Sequence, residues 1–265
     1  MGRAKDIIVK VIPAKIANEF VKRHHYSGKV VNNSSLHFGC FLDGNLHGVM
    51  SYGPPMNKAA VIGLVEGTQW DGLLELNRMA FDEFLPKNSE SRCIAISIGL
   101  IKKQAPQVKW VISFADASLC GDGTIYRAAG FKLTSIKRNT SIYQTPTGEV
   151  ACTMTYGKDQ WSRKNNGKAS GAHYLKSIGA RRVDGYQLRY IYLIDKTMRI
   201  TSPILPYSAI DERGAGMYKG EKISIAKRRK QAAADGSGSG VQSETGGLTP
   251  TLPLHIDEVP NGNQD

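Results

Sequence analysis

The chain has 265 residues, 41% of them hydrophobic, and its 35 Lys and Arg outnumber 23 Asp and Glu for a formal net charge of +12. That apolar share can build a substantial core, yet no run approaches the roughly eighteen apolar residues of a membrane-crossing helix. Cys40, Cys93, Cys120 and Cys152 are widely spaced, which argues against a zinc ribbon or disulfide framework and for inert thiols in a reducing compartment.

Residues 6–12 (DIIVKVI) read as a strand, and Pro13 opens an amphipathic helix over 13–24, with Ile16, Phe20 and His24 four apart. No signal-peptide core precedes them, so export is not expected. HHYSGKVVNNSS is a loop. Two β-rich runs then flank Asp43-Gly44, a dipeptide suited to a tight hairpin turn. Residues 61–65 (VIGLV) suggest another short strand, and Trp70 lies in the loop beyond it. The central unit follows: strand 73–81, the helix start PKNSESR, a helix with Ile94, Ile98, Ile101 and Ala105 on one face, and the apolar strand 109–116. GDGTIYRAAGF then gives a short Tyr-bearing helix ending at Gly130. Residues 131–143 and 149–156 form antiparallel strands around the Pro146–Gly148 turn. The class is mixed α/β, of the α+β kind.

From Lys158 the character changes. Residues 158–231 hold 17 basic and 6 acidic residues, which suggests a polyanion partner. This segment opens as a polar linker, contains a strand at 186–195 and carries the basic run Lys227, Arg228, Arg229 and Lys230. Residues 232–265 have 5 acidic residues and no Lys or Arg, and their low complexity points to a disordered tail.

A strand running into a helix start makes an anion site, because the first helical N–H groups lack partners. Here Lys87, Asn88, Ser89, Ser91 and Arg92 surround that start. GTIYRAAGF resembles the Y-x-x-x-G-F signature of the GNAT superfamily of N-acetyltransferases, carried here by Tyr126, Gly130 and Phe131. KNSESR stands where that superfamily has a Q/R-x-x-G-x-G/A loop. The resemblance implies a GNAT-like fold with a central, mostly antiparallel sheet flanked by helices. It implies acetyl-CoA in the splay between strands 73–81 and 109–116, beside Met79, Phe81 and Tyr126, with its pyrophosphate on 87–92, and Ser113 among the catalytic residues. Tyr126 would be the acid to the leaving thiolate.

Several blocks together, HHYSGKVVNNSSLHFG, GVMSYGPP, LELNRMAF, LPKNSESR, FADASLCGDGTIYRAAGF and GAGMYKG, resemble phage Mom-type DNA modification proteins. That resemblance implies an enzyme acting in the cytoplasm of an infected bacterium. It would convert adenine N6 in DNA to a carbamoylmethyl- or methylcarbamoyl-type product and so shield phage DNA from restriction. The partner is then double-stranded DNA with a flipped adenine. Tyr26, Asn32, Asn33, Tyr52 and Trp70, in or beside predicted loops, are candidates to hold the base. Asp116, at the end of its strand, or His25 is the candidate base for the exocyclic amine; Asp116 could equally cap the next turn. A product that differs from plain acetylation raises iron as a further cofactor, with His24, His25 and His37 as the nearby histidines, although adjacent histidines on a helix end diverge. The expected organisation is a catalytic domain over 1–157, a DNA-engaging extension over 158–231 and a tail over 232–265. The rivals are an ordinary N-acetyltransferase of a protein or small amine, and a non-catalytic DNA-binding protein on the same scaffold.

Overall fold

The computed structural model describes residues 3–153 and 171–235. Seven strands form one sheet in the order β1-β2-β3-β4-β5-β10-β6, comprising Ile8–Val11, Leu36–Leu42, Asn45–Gly53, Leu73–Phe81, Trp110–Asp116, Tyr186–Leu193 and Lys132–Arg138 respectively for those labels. Only β4 and β5 run parallel; every other neighbouring pair is antiparallel. A helix must cross between parallel strands. That helix is α3 (Ser89–Gln104), and its apolar stripe of Ile94, Ile98 and Ile101 packs into the main core. The mixed α+β, largely antiparallel architecture is the one the sequence implied.

The two sheet faces carry different cover. On the α3 face lie Val111 and Ala115 of β5, Leu188 and Tyr190 of β10, and Tyr126 of the short helix α4 (Thr124–Ala128). On the opposite face, Phe20 and Val21 of α1 (Ala14–His24) pack on Phe41, Val49 and Ala80. Farther along that face, Trp110, Ile112 and Ile191 form a separate cluster with Val65 and Leu73. The alternation of β5 sends Val111, Ser113 and Ala115 one way and Ile112, Phe114 and Asp116 the other.

The hairpin at Asp43-Gly44 forms as expected, both residues having positive φ, 53° and 82°. Residues 61–65 are not a strand. The Asn57 side chain accepts the Ala60 N–H at 3.2 Å and starts the turn α2 (Lys58–Val61), which a 3-10 turn (Ile62–Leu64) continues. Only Val65 bridges, to Ile200. The run after Phe131 also divides. The Asn139 side chain accepts the Ser141 N–H at 3.0 Å, turning the chain out of the main sheet. Strand β7 (Ile142–Gln144) then joins β8 (Val150–Cys152) and β9 (Arg181–Arg182) in a small sheet packed on Leu175 of α5 (Gly171–Ser177).

The largest departure concerns residues 186–193. They form a strand, but an interior one, between β5 and β6. Leu188, Tyr190 and Ile191 are fully buried there. The sheet is therefore not closed at residue 157, and the segment expected as an extension supplies its sixth position. The basic run lies on helix α7 (Ile225–Asp235), after α6 (Ser208–Glu212). Asp211 of α6 accepts the Ile225 and Ala226 N–H groups at 2.7 and 3.1 Å, satisfying the first donors of α7. The expected tail over 232–265 begins within α7, which runs to Asp235, while residues 158–170 and 236–265 lie outside the described residues.

Leu188→Ala should remove about 2–5 kcal/mol of stability. A single unfolding transition, coincident by circular dichroism and Trp fluorescence, is expected for this variant and the parent; a separate transition for the C-terminal third would contradict the shared sheet.

Candidate active site

The parallel pairing of β4 with β5 lasts four residues, from Leu73–Trp110 to Leu76–Ser113. Beyond that point the strands part. On its other side β4 has a bulge: Leu76 pairs with Tyr52 and Arg78 with Ser51, so Asn77 is the extra residue. A bulge bends and twists its strand. The rest of β4 follows β3, while Phe114–Asp116 follows β10, and a gap opens between them. The Ser113 hydroxyl donates to the Leu76 carbonyl at 2.8 Å and pins the fork.

Met79 and Phe81 border this gap on the α3 face, packed against the main core. The chain then turns into α3. Asn88 sits at the helix start with φ 70° and makes no side-chain cap. The neighbouring hydroxyls are turned to carbonyls: the buried Ser89 hydroxyl donates to the Pro86 carbonyl, and the Ser91 hydroxyl donates to the Asn88 carbonyl at 3.2 Å. Arg92 reaches the Lys5 carbonyl at 3.3 Å, and Lys87 is exposed. The helix start therefore has no side-chain cap, and its dipole is positive at that end.

Loop 25–35 closes over the gap from the α1 face. Arg78 Nε donates to the Lys29 carbonyl at 2.8 Å, and Ser34 Oγ donates to Asn77 Oδ1 at 2.8 Å. The loop also lies against the end of β3, where a Cβ at Gly53 would stand 2.1 Å from the Asn33 carbonyl oxygen. Only glycine allows that approach. The Asn77 Nδ2 group is buried without a hydrogen-bond partner at the bulge.

Seven polar side chains meet here: Glu75, Arg78, His25, Tyr26, Asp116, Cys120 and Tyr126. Tyr26, 55% exposed, has its hydroxyl 3.4 Å from Asp116 Oδ2, and Asp116 Oδ1 accepts the Ser118 N–H at 2.9 Å. Asp116 thus does cap the turn after its strand, with the other oxygen toward Tyr26. Burial pushes the Tyr126 hydroxyl up to about 12, opposed by its hydrogen bond with Ser113. Burial and the Asp116 carboxylate raise Tyr26 further, so both phenols stay protonated. Burial and Arg78 lower His25 to about 4, leaving it neutral. The Ser27 N–H donates to His25 Nδ1 at 3.1 Å, so the ring proton resides on Nε2. His25 therefore presents a donor. Burial raises Glu75 to about 7 against the pull of Arg78, and burial with Asp116 raises the Cys120 thiol, which keeps it from acting as a thiolate. Glu75, Arg78 and Cys120 escaped the sequence reading, although Glu75 and Arg78 sit in the LELNRMAF block; only the bulge reveals which way they face.

Ser113, Asp116, Tyr126, His25 and Tyr26 are thus brought together, and Asn33 flanks them, its side chain donating to the Pro54 carbonyl. Asn32 is exposed on the same loop. Two expected base-holders are elsewhere. Tyr52 is completely buried, its hydroxyl 2.7 Å from Ser97 Oγ, because its β3 position faces the core. Trp70, 64% exposed under the Lys58 ammonium, precedes β4 and lies at the opposite end of the strand from the gap.

The basic run also divides. Lys227, Arg229 and Lys230 are exposed, but Arg228 turns inward to the buried Asp122 carboxylate, which Arg127 also pairs at 3.1 Å. Arg228 also donates to Thr124 at 2.9 Å, so α7 is tied to the helix carrying Tyr126. Iron finds no ligand set: His24 stacks on Phe20, His37 is buried with Nδ1 2.8 Å from Ser51 Oγ, and no group of three metal-binding side chains occurs among the described residues.

Arg228→Met should destabilise the protein by roughly 3 kcal/mol, since it strips one cation from a buried carboxylate. Lys227→Ala should change thermal stability little. Glu75 holds its proton in the folded state up to about pH 7, above its ordinary 4.5, so stability falls as pH rises between those values. Glu75→Gln should therefore raise the melting temperature at pH 8 relative to the parent and leave it unchanged below pH 4.5.

Among solved structures the chain is similar to the ribosomal-protein-S18-alanine N-acetyltransferase of Escherichia coli, with TM-score 0.39 and 13% identity over 71% of this chain and 94% of that one. It is also similar to a Bacillus subtilis acetyltransferase in complex with CoA, with TM-score 0.40 and 10% identity over 71% and 99%. Over 137 residues it is 36% identical to the methylcarbamoylase Mom of Escherichia phage Mu, covering 52% of this chain and 57% of that protein. The chain thus spans little more than half of that relative's length. The model of the Mom protein family matches residues 6–209, a stretch that contains every strand of the seven-stranded sheet and both sides of the β4–β5 gap, and the chain belongs to that family.

Proposed function

We propose that this protein is a phage DNA modification enzyme that acylates N6 of adenine from acetyl-CoA, with CoA leaving as the thiol. This is one step toward a methylcarbamoyl-type product, whose additional nitrogen requires an amine donor and a two-electron oxidant. The observation that carries the reading is the β4–β5 gap, with Tyr126 on its α3 face and Asp116 with Tyr26 on the other. A donor and an acceptor can reach such a gap from opposite faces of the sheet. Family membership supplies the direction toward DNA. The exposed cations Lys227, Arg229 and Lys230 suit a polyanion.

The residues present fit acetyl-CoA. The facing edges of β4 and β5 have no strand partner across the gap, so an amide-bearing arm lying there can add to them as a strand would. Asn77 Nδ2 supplies a buried donor without a partner. Met79 and Phe81 would flank the arm, and the α3 start, with Lys87, Asn88, Ser89, Ser91 and Arg92 about it, would take the pyrophosphate. When bound, the cofactor supplies an activated two-carbon acyl unit.

The adenine would enter from loop 25–35, with Tyr26, Asn32 and Asn33 around it and Asp116 accepting a proton from the exocyclic amine. His25 offers Nε2–H as a hydrogen-bond donor rather than a base. Tyr126, protonated at neutral pH, offers its proton to the leaving thiolate. Arg78 lies between the two faces as a fixed cation for negative charge that develops in the transition state. Modification of this kind would shield phage DNA from restriction enzymes of the host.

Mass spectrometry of nucleosides from cells expressing the protein tests this reading. The parent should yield a modified deoxyadenosine, and Asp116→Ala and Tyr126→Phe should each lower its yield by about a hundredfold. Undiminished product in both variants would remove these two residues from the chemistry, and acetylated protein or polyamine without a modified nucleoside would favour an ordinary N-acetyltransferase.

A further inference from the structure

A second polar depression lies one residue beyond Asp116. It has a volume of about 190 Å³, and Arg138, Lys222, Asp184 and Gly185 line it together with Gly214 and Gly216. It reaches the catalytic strand through Ala117, whose N–H donates to the Tyr186 carbonyl at 2.8 Å where β5 and β10 end. Glycine at 185 is required where β10 begins: a Cβ there would come within 2.4 Å of the Ser118 backbone, so that side of Gly185 is filled by the chain itself. Gly214, with φ 63° and nothing within 4 Å of where its Cβ would stand, leaves part of the wall as bare main chain.

Its charges are unbalanced. Arg138, at the end of β6, and Lys222, before α7, are both exposed, and neither forms an ion pair among the described residues. The one lining carboxylate, Asp184, stands 3.9 Å from Arg182. Two unpaired cations thus converge on a small, partly bare-walled depression beside a carboxylate that faces the gap. Neither cation contributes to the buried Asp122 cluster, and neither borders the α3 start.

We infer that this depression seats a backbone phosphate of the nucleic-acid strand whose base enters the β4–β5 gap. The inference rests on the DNA reading above and deepens it by assigning a phosphate contact to residues outside the basic run. A flipped nucleotide stays joined to its phosphates, so an enzyme that reacts at its base needs a positive seat for one of them next to the reacting edge. Position decides against the cofactor's phosphates as occupant: the depression adjoins β10 and β6, whereas α3 begins after β4 on the other side of the gap.

The test titrates a fluorescent DNA duplex and, separately, acetyl-CoA against the full chain across a salt series. The forms compared are the parent, Arg138→Ala/Lys222→Ala, the charge-keeping Arg138→Lys/Lys222→Arg, and Lys102→Ala/Lys103→Ala at the far end of α3. Losing one phosphate contact should make the slope of log affinity against log salt shallower by about 0.9 and weaken duplex binding about tenfold near 0.1 M salt. That loss is expected in Arg138→Ala/Lys222→Ala alone, with acetyl-CoA affinity unchanged and the charge-keeping variant equal to the parent. An unaltered slope, or the same change in the Lys102 and Lys103 control, overturns the phosphate seat while duplex binding by the parent keeps the DNA reading intact. Loss of acetyl-CoA affinity instead of DNA affinity assigns the depression to the cofactor and overturns the inference. A parent that binds no duplex at any salt overturns both.

Discussion

The parting of β4 and β5 is the constraint on which the remainder of the molecule depends. Interior strands normally satisfy main-chain groups on both sides, since a buried peptide group without a partner is costly. After Leu76 and Ser113 these two strands give up that arrangement. The sheet survives because β3 and β10 hold their outer sides, and because the bulge at Asn77 bends β4 away without breaking its ladder to β3. Loop 25–35 is held across the opening by Arg78 and Asn77, two residues of the strand that opens it. The element that makes the gap therefore also secures its cover.

Burial then sets the protonation states around the opening. The phenol of Tyr126 keeps its proton through burial, that of the half-exposed Tyr26 also through the Asp116 carboxylate, and His25 loses its own through burial and the Arg78 guanidinium. The result is a cluster of protonated hydroxyls, a neutral imidazole and a guanidinium next to Asp116. Such an environment is suited to moving single protons.

Much of this was legible in the sequence. The strand–helix–strand order at 73–116 was legible because hydrophobic periodicity and turn residues report local structure directly, while Tyr126, Gly130 and Phe131 stood out by a family resemblance. The parity of side chains beyond a bulge is not local. One extra residue at Asn77 decides where Arg78 points, and no pattern within the strand records it. Tyr52 and Trp70 are not placed to hold a base for a related reason: a sequence shows that an aromatic lies near a loop, but not that Tyr52 faces the core or that Trp70 lies at the far end of β4. Arg228 among three exposed cations shows the same limit, since its partner Asp122 is 106 positions away. The small sheet and the interior position of β10 depend on long-range pairing, to which composition is blind.

The place of β10 has a consequence for how the protein is made. A ribosome releases β1 through β6 well before β10 emerges, so the nascent chain carries β5 and β6 with a strand missing between them. Helix α7, which supplies Arg228 to the buried Asp122 beside Tyr126, emerges later still. The fork, the phenol and the covering loop all precede residue 131, yet the strand and the helix they rest on follow residue 185. A message interrupted between those points yields a chain that contains the residues of the gap without the frame that orders them.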